Sequence, residues 1–309
     1  MELAVCVIGT VFMDIKGFSF KSYNPLGRNL GEVEYIHGGV GRNIAESLAN
    51  LELPVTFVST IDQSAIGAEV ETRLKECRVD TSCLWNAEKD GMGVWLALIS
   101  EQGELVGSIS KMPDLTLLGS IMSKKGKDLI GNSSHVVLEL DLNSQITCEA
   151  IKVAKELRKP VYGIPGNLDV ILRHLEIIAD LECFICNDIE AGQMISTELQ
   201  GLSIEDLISC LSEKLFTAGK SSRYMVVTLG ERGAIYYDSV RQKVGYQPAI
   251  PTDVVDTSGA GDAFFSGTVM GLIKGVPLSQ AVIYGTKVAS FTISHNENIY
   301  RGLASVITS

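Results

Sequence analysis

A three-layer α/β sandwich is the fold class this chain predicts: a mostly parallel central sheet covered by helices on both faces, with a small β-sheet acting as a lid. Three observations lead there. Apolar runs alternate with amphipathic stretches over most of the 309 residues. The apolar runs are β-branched and nearly continuous, the pattern of parallel strands buried on both faces. Two segments break the alternation, one glycine- and aromatic-rich and one hairpin-like.

Taken in order, strands are expected over 3–8, 54–60, 135–140, 160–164, 182–186 and 224–229. Helices are expected over 41–51, 65–76, 144–157, 204–216, 261–274 and 278–292. The crossovers between parallel strands should be right-handed. From Gly91 to Ser110, two apolar runs flank Glu-Gln-Gly-Glu, which reads as a hairpin about a glycine turn. A second hairpin is expected from 234–237 and 243–246. The segments 14–37 and 91–110 are well placed to build the lid, inserted in a single domain spanning 1–309. The edges of that small sheet offer a pairing surface for a second subunit, so a homodimer through the lid is expected.

Composition narrows the function. With 46% hydrophobic residues the chain can bury a large core, and a formal charge of −11 disfavours nucleic acid or an anionic membrane as partner. An anionic nucleotide stays open, because a phosphate site needs only local amides, cations and metal. The start of the chain lacks the basic region and longer apolar core of a secretory signal. No stretch reaches the roughly eighteen apolar residues of a membrane span. Seven cysteines at irregular spacing fit reduced thiols, and the expectation is a cytoplasmic protein. Cys183 and Cys186 form a lone CxxC within an apolar run, which reads as a buried strand rather than half a zinc site.

Four segments carry chemistry. In Asp256-Thr-Ser-Gly-Ala-Gly-Asp262, small residues lead into an apolar helix. Glycines let backbone N–H groups turn inward, a helix start adds partial positive charge, and Asp262 on the first turn can accept a proton from an attacking hydroxyl. The plain alternative is a glycine turn with Asp as a cap. In His37-Gly-Gly-Val-Gly-Arg-Asn43-Ile-Ala45, glycines permit close approach to a polyol and Asn43 offers donor and acceptor. Ile44 at the third glycine position spoils a dinucleotide fingerprint. Asn187 and Glu190 can orient the waters of a magnesium ion, or simply form a capping box. Thr228-Leu-Gly230, with Gly233, reads as a strand end that can turn near bound phosphates, or as an ordinary hairpin approach. Gly219-Lys-Ser221 mimics a P-loop end, but Lys214 stands where the upstream glycine is required. The four histidines are scattered and form no catalytic signature.

Together, and in this order, these residues resemble the PfkB (ribokinase-like) carbohydrate kinases over essentially the entire chain. The resemblance implies an ATP-dependent kinase acting on a hydroxyl of a small sugar or nucleoside. It makes Asp262 the base and the amides of Gly259, Ala260 and Gly261 an anion hole. Asn187 and Glu190 would organise Mg2+ through water, and Thr228 with Gly230 would line the ATP phosphates. Asp14, Gly39, Asn43 and Asp141 would hold substrate hydroxyls. Asp256 and Ser258 match positions that hold a monovalent cation, K+, in several members. Within the family, the 38–45 segment and Asn24-Pro25 most resemble pseudouridine kinases, implying conversion of pseudouridine to pseudouridine 5′-phosphate. The alternatives are a ribose, other pentose or nucleoside kinase, or a non-catalytic sugar-binding protein. Two departures stand out: Ile164-Pro165 where Asp-Pro is frequent, and Ile185-Cys186 where lysine and proline are frequent.

Overall fold

The computed structural model describes all residues except 1–2, 141, 167, 217–220, 296–298, 301 and 309. The chain opens with β1 (Val5–Ile8), β2 (Phe12–Ser19), β3 (Gly31–Gly38), α1 (Val40–Asn50), β4 (Val55–Asp62), α2 (Ala65–Glu76) and β5 (Leu84–Ala87). It continues through β6 (Gly93–Ile99), β7 (Leu105–Lys111), α3 (Thr116–Gly131), β8 (His135–Glu139), α4 (Ser144–Glu156), β9 (Val161–Ile164) and α5 (Asp169–Arg173). The remainder is β10 (Cys183–Asn187), α6 (Asp188–Met194), α7 (Ile204–Leu211), β11 (Tyr224–Thr228), β12 (Ala234–Asp238), β13 (Lys243–Gln247), α8 (Ala260–Ile273), α9 (Leu278–Ile293) and α10 (Leu303–Thr308).

The large sheet has nine strands in the order β13-β12-β11-β10-β9-β8-β1-β4-β5. It is parallel from β5 through β11. The expected second hairpin, β12–β13, closes one side antiparallel. Alternation along each strand feeds two cores. Cys6 and Ile8 of β1 pack with residues of α3, α4 and α7, while Val5 and Val7 pack with residues of α1, α2, α8 and α9. Cys183 and Cys186 are fully buried in opposite cores. They lie on opposite faces of β10, burial raises both thiols, and all seven cysteines are free.

The small sheet, β3-β2-β6-β7, assembles the two segments that broke the alternation. Tyr35, Ile15, Leu96 and Ile109 are cross-strand partners in one row, and Ile36, Asp14, Trp95 and Ser110 in the next. Successive residues point to opposite faces, so this sheet carries an apolar outer face and a face bearing Asp14 and Lys16. Tyr35 and Ile109 are 67% and 70% exposed.

Some elements exceed the sequence reading. Helix α3 went unread because Gly119, Gly126, Gly131 and a lysine pair dilute its pattern, and interior glycine disfavours helix. Its Leu118, Met122 and Ile130 nevertheless lie in the core. The helix expected over 204–216 is α-helical only to Leu211 and continues as a π-turn over Ser212–Phe216. In the P-loop look-alike, Gly219 and Lys220 lie outside the described residues.

Candidate active site

The carboxyl ends of β1, β8, β9, β10 and β11 share one edge of the large sheet, the usual place for ligands in open α/β sheets. Helix α8 is brought to this region by packing against α1, α9 and β10. Its contact with α9 is intimate. A Cβ at Gly267 would stand 2.8 Å from the Tyr284 carbonyl and 2.9 Å from Gly285 Cα.

The start of α1 is built around glycine and one buried acid. Gly39 has φ 97°, and a Cβ there would meet the Thr10 carbonyl at 2.6 Å. A Cβ at Gly41 would lie 2.6 Å from Gly9 Cα. Glu139, at the end of β8 and 3% exposed, fastens this crossing. Its Oε2 accepts the N–H groups of Thr10 (2.7 Å) and Gly41 (3.0 Å), and its Oε1 accepts the Thr10 hydroxyl at 2.8 Å. Glu139 was missed in the sequence reading. Its signal was an acid inside the apolar run 135–140.

From this crossing α1 presents Asn43 to Asp262. Asn43 Nδ2 donates to Asp262 Oδ2 at 2.7 Å, although 219 residues separate them. Asn43 Oδ1 is buried and has no partner among the described residues. Next to it, Arg42 is buried, paired with Glu46 at 2.7 Å and donating to the carbonyls of Gly38 and His37. Asp14 lies against Gly38, where a Cβ would fall 2.4 Å from both carboxylate oxygens. Burial pushes Asp262 up to about 7. Its bond from Asn43 and the charge of Arg42 oppose the rise, and Asp14 adds to it. Burial likewise raises Asp14 to about 6, against Arg42 and Lys16. Asp14, Gly39, Asn43 and Asp262 are thus brought together, whereas Asp141 lies outside the described residues.

The loop before α8 bends as its sequence requires. Asp256 Oδ1 accepts the Ser258 N–H at 2.8 Å, and Gly259 takes the left-handed conformation, φ 76°, at the N-cap. Ala260 N–H turns back to the Thr257 carbonyl at 3.2 Å. Gly261 opens onto free space, since a Cβ there would touch nothing within 4 Å. The expected trio of anion-binding amides is therefore not equivalent: Ala260 already has a partner in the turn. Where a monovalent cation was expected, the ammonium of Lys16 stands instead. It donates to Asp256 Oδ2 at 2.8 Å and to Ser258 Oγ at 2.7 Å. Burial works to raise the Asp256 carboxyl, but the Lys16 and Ser258 hydrogen bonds hold it below its ordinary value. The residues here do not fit an added K+ ion.

At the ends of β10 and β11, Asn187 and Thr228 are register partners. Asn187 Oδ1 accepts the Glu190 N–H and Glu190 Oε2 accepts the Asn187 N–H, both at 2.8 Å, so the capping box is fully formed. Thr228 Oγ1 donates to the Cys186 carbonyl at 3.4 Å. Gly230 and Gly233 both have positive φ, 58° and 92°. No group of three or more His, Cys, Asp or Glu among the described residues forms a direct metal cage. Hard cations take carboxylate oxygens directly or through water, so the chemistry of the Glu190 carboxylate at this strand end fits an indirect role. Ile164, which replaces the frequent Asp, is a buried strand end.

The pfkB family carbohydrate kinase profile matches residues 2–301. The chain belongs to this family. As a PfkB kinase it is a phosphotransferase with an alcohol group as acceptor. It is 34% identical to a guanosine-inosine kinase of Exiguobacterium acetylicum, over 95% of each chain. It is 23% identical to the pseudouridine kinase of Escherichia coli K12, over 98% of this chain and 95% of that one. The fold is that of Arabidopsis thaliana ribokinase complexed with ribose and ATP, with TM-score 0.83 at 18% identity and full coverage of both chains. Giardia lamblia ribokinase superposes with TM-score 0.85 at 16% identity, covering 100% of this PfkB kinase and 98% of the other chain.

Proposed function

We propose that this PfkB kinase transfers the γ-phosphoryl group of ATP to the ribose 5′-hydroxyl of a nucleoside, guanosine or inosine first. The observation that carries the chemistry is the Asn43–Asp262 pair beside the open glycine turn at the start of α8. Asp262 takes the hydroxyl proton, the hydroxyl oxygen bonds to the γ-phosphorus, and the bond from that phosphorus to the β-bridging oxygen breaks to release ADP. Asn43 holds the Asp262 carboxylate through Nδ2, and its unpartnered Oδ1 accepts a substrate hydroxyl. Asp14 and the Gly39 backbone bind further ribose hydroxyls. The N–H groups of Gly259 and Gly261, with the α8 terminus, stabilise the equatorial oxygens in flight, and Ala260 shapes their turn. Thr228 and Gly230 line the donor phosphates. Glu190 and Asn187 would hold Mg2+ through water, and that ion neutralises charge on the transferred group.

The small sheet serves as a lid within one domain, keeping water from the phosphoryl group, and its apolar outer face supports pairing of two lids in a homodimer. A cytoplasmic setting accords with seven free cysteines. A nucleoside rather than a free sugar is supported by two relatives aligned over nearly their whole lengths, and the more identical is named for purine nucleosides.

Pseudouridine is the second reading, favoured by the 38–45 segment and Asn24-Pro25. Asn24 closes its own exposed loop, accepting the Leu26 N–H at 2.9 Å and bonding Asn29. Steady-state phosphorylation of guanosine, inosine, pseudouridine, uridine and ribose separates these readings. The expected order of kcat/KM places guanosine and inosine first and ribose last. A lead for pseudouridine installs the second reading, and absence of ATP turnover on every acceptor leaves a binding protein.

A further inference from the structure

The Lys16 ammonium holds Asp256 and Ser258 from a strand 240 residues distant in sequence. Lys16 is 3% exposed, while the Asp256 side chain is 32% exposed. The lysine is therefore buried, and the carboxylate retains an open side. Asp256 also accepts the Ser258 N–H, so one carboxylate grips both the ammonium and the turn that leads to Gly259. On β2, Lys16 shares a face with Asp14, two residues away. The same strand thus reaches the proposed sugar-binding pocket with one side chain and the proposed phosphoryl-binding turn with the next.

We propose that Lys16 is a built-in cation. Its ammonium supplies the positive charge and fixed geometry that the Asp256–Ser258 turn would otherwise take from a monovalent ion, so this kinase works without potassium, and the small sheet is tied to the anion-binding turn. Lys16 is a positioning residue: it acts on the reaction only through the 256–261 loop. An ammonium and K+ are alike in charge and size, and each is satisfied by carboxylate and hydroxyl oxygens. Two donors from one ammonium leave Asp256 Oδ2 and Ser258 Oγ engaged, and an added cation beside Lys16 would meet like charge.

The test compares the full-length protein in potassium, ammonium and tetramethylammonium chlorides at equal ionic strength. Melting temperature is a readout that needs no substrate, so a wrong acceptor assignment leaves it intact. Activity on whichever acceptor is turned over is the second readout. Wild-type protein is expected to melt alike in all three salts and to change activity by less than about twofold. Lys16→Gln, which removes the charge, should lose roughly ten- to hundredfold in turnover in tetramethylammonium, the range for a lost hydrogen bond to a charged group. Potassium or ammonium should restore much of that loss and raise its melting temperature. Lys16→Arg retains a cation and should stay indifferent to potassium. Strong activation or stabilisation of the wild type by potassium overturns the proposal. So does a folded Lys16→Gln variant that is impaired equally in every salt.

Discussion

Asp262 carries an acid–base assignment and a stability cost at the same position. Burial raises its carboxyl to about 7, so the proposed base becomes competent only as pH climbs through neutrality. kcat/KM should rise toward a plateau above about pH 7, and Asp262→Asn should lower turnover by roughly 10² to 10⁴ and abolish that limb. The linkage has a definite sign. A carboxyl whose folded value lies above its unfolded value gives stability that is fully present below about pH 4 and lost as pH rises through about 7. Asp262→Asn should therefore melt higher than wild type at pH 8, with the gap closing toward pH 4. Thermal melts across that range check it; an asparagine variant less stable at pH 8 would mean that the carboxylate supports the fold. Glu139 illustrates why a site is only partly legible in sequence. Asp262 and Asn43 sit in glycine-rich segments whose chemistry is visible locally. Glu139 matters only because β8 lies beside β1, so that one carboxylate reaches Thr10 and Gly41.

At the scale of elements, the start of α6 joins an observed role and a proposed one in one pair of residues. Asn187 and Glu190 form the capping box in the protein itself, and loss of a cap costs about 0.5–2 kcal/mol. Glu190→Gln retains an acceptor for the cap but removes the charge. Magnesium titrations should then show a higher Mg2+ requirement, with the acceptor KM less affected. Lower stability with unchanged magnesium dependence would reduce the pair to a cap. Strands β1, β4, β8, β9, β10 and β11 were readable because burial on both faces leaves near-continuous apolar runs, whereas the short, half-buried edge strand β5 was not. Helix α3 was not, because its core-facing residues are interleaved with glycines and lysines that tertiary packing overrides. In the small sheet β6–β7 was readable as hairpin-like sequence and β2–β3 only as a glycine- and aromatic-rich break, whereas the division of β2 into an Asp14/Lys16 face and an Ile15 face depends on pairing register. In the outer row Tyr35-Ile15-Leu96-Ile109 the two ends are exposed and the middle pair half-buried, and this row is the proposed seat of a second copy. Sedimentation of Ile109→Lys should show a monomer where wild type is a dimer, and a wild-type monomer at working concentration would remove the lid-to-lid proposal.

Across the molecule, the fold gathers five strand ends and the starts of α1, α6 and α8 at one edge, then hangs a small sheet beside it from residues far apart in sequence. Asn43 meets Asp262 across 219 residues, and Lys16 meets Asp256 across 240. These long closures make the site a property of the folded domain rather than of any segment. The net charge of −11 does not prevent anion binding, because the proposed phosphoryl site uses backbone N–H groups and a helix start. Asp262 is proposed to deprotonate a nucleoside 5′-hydroxyl for attack on ATP. The most direct measurement of this step is product identity in a single mixture of guanosine, inosine, pseudouridine, uridine and ribose with ATP and Mg2+. Phosphorus NMR and mass analysis should be run for wild type and Asp262→Asn. The predicted result is a nucleoside 5′-monophosphate, purine foremost, formed by wild type and nearly absent with the variant. Phosphate delivered to free ribose while the nucleosides remain untouched, or equal product from the Asp262→Asn variant, would contradict it.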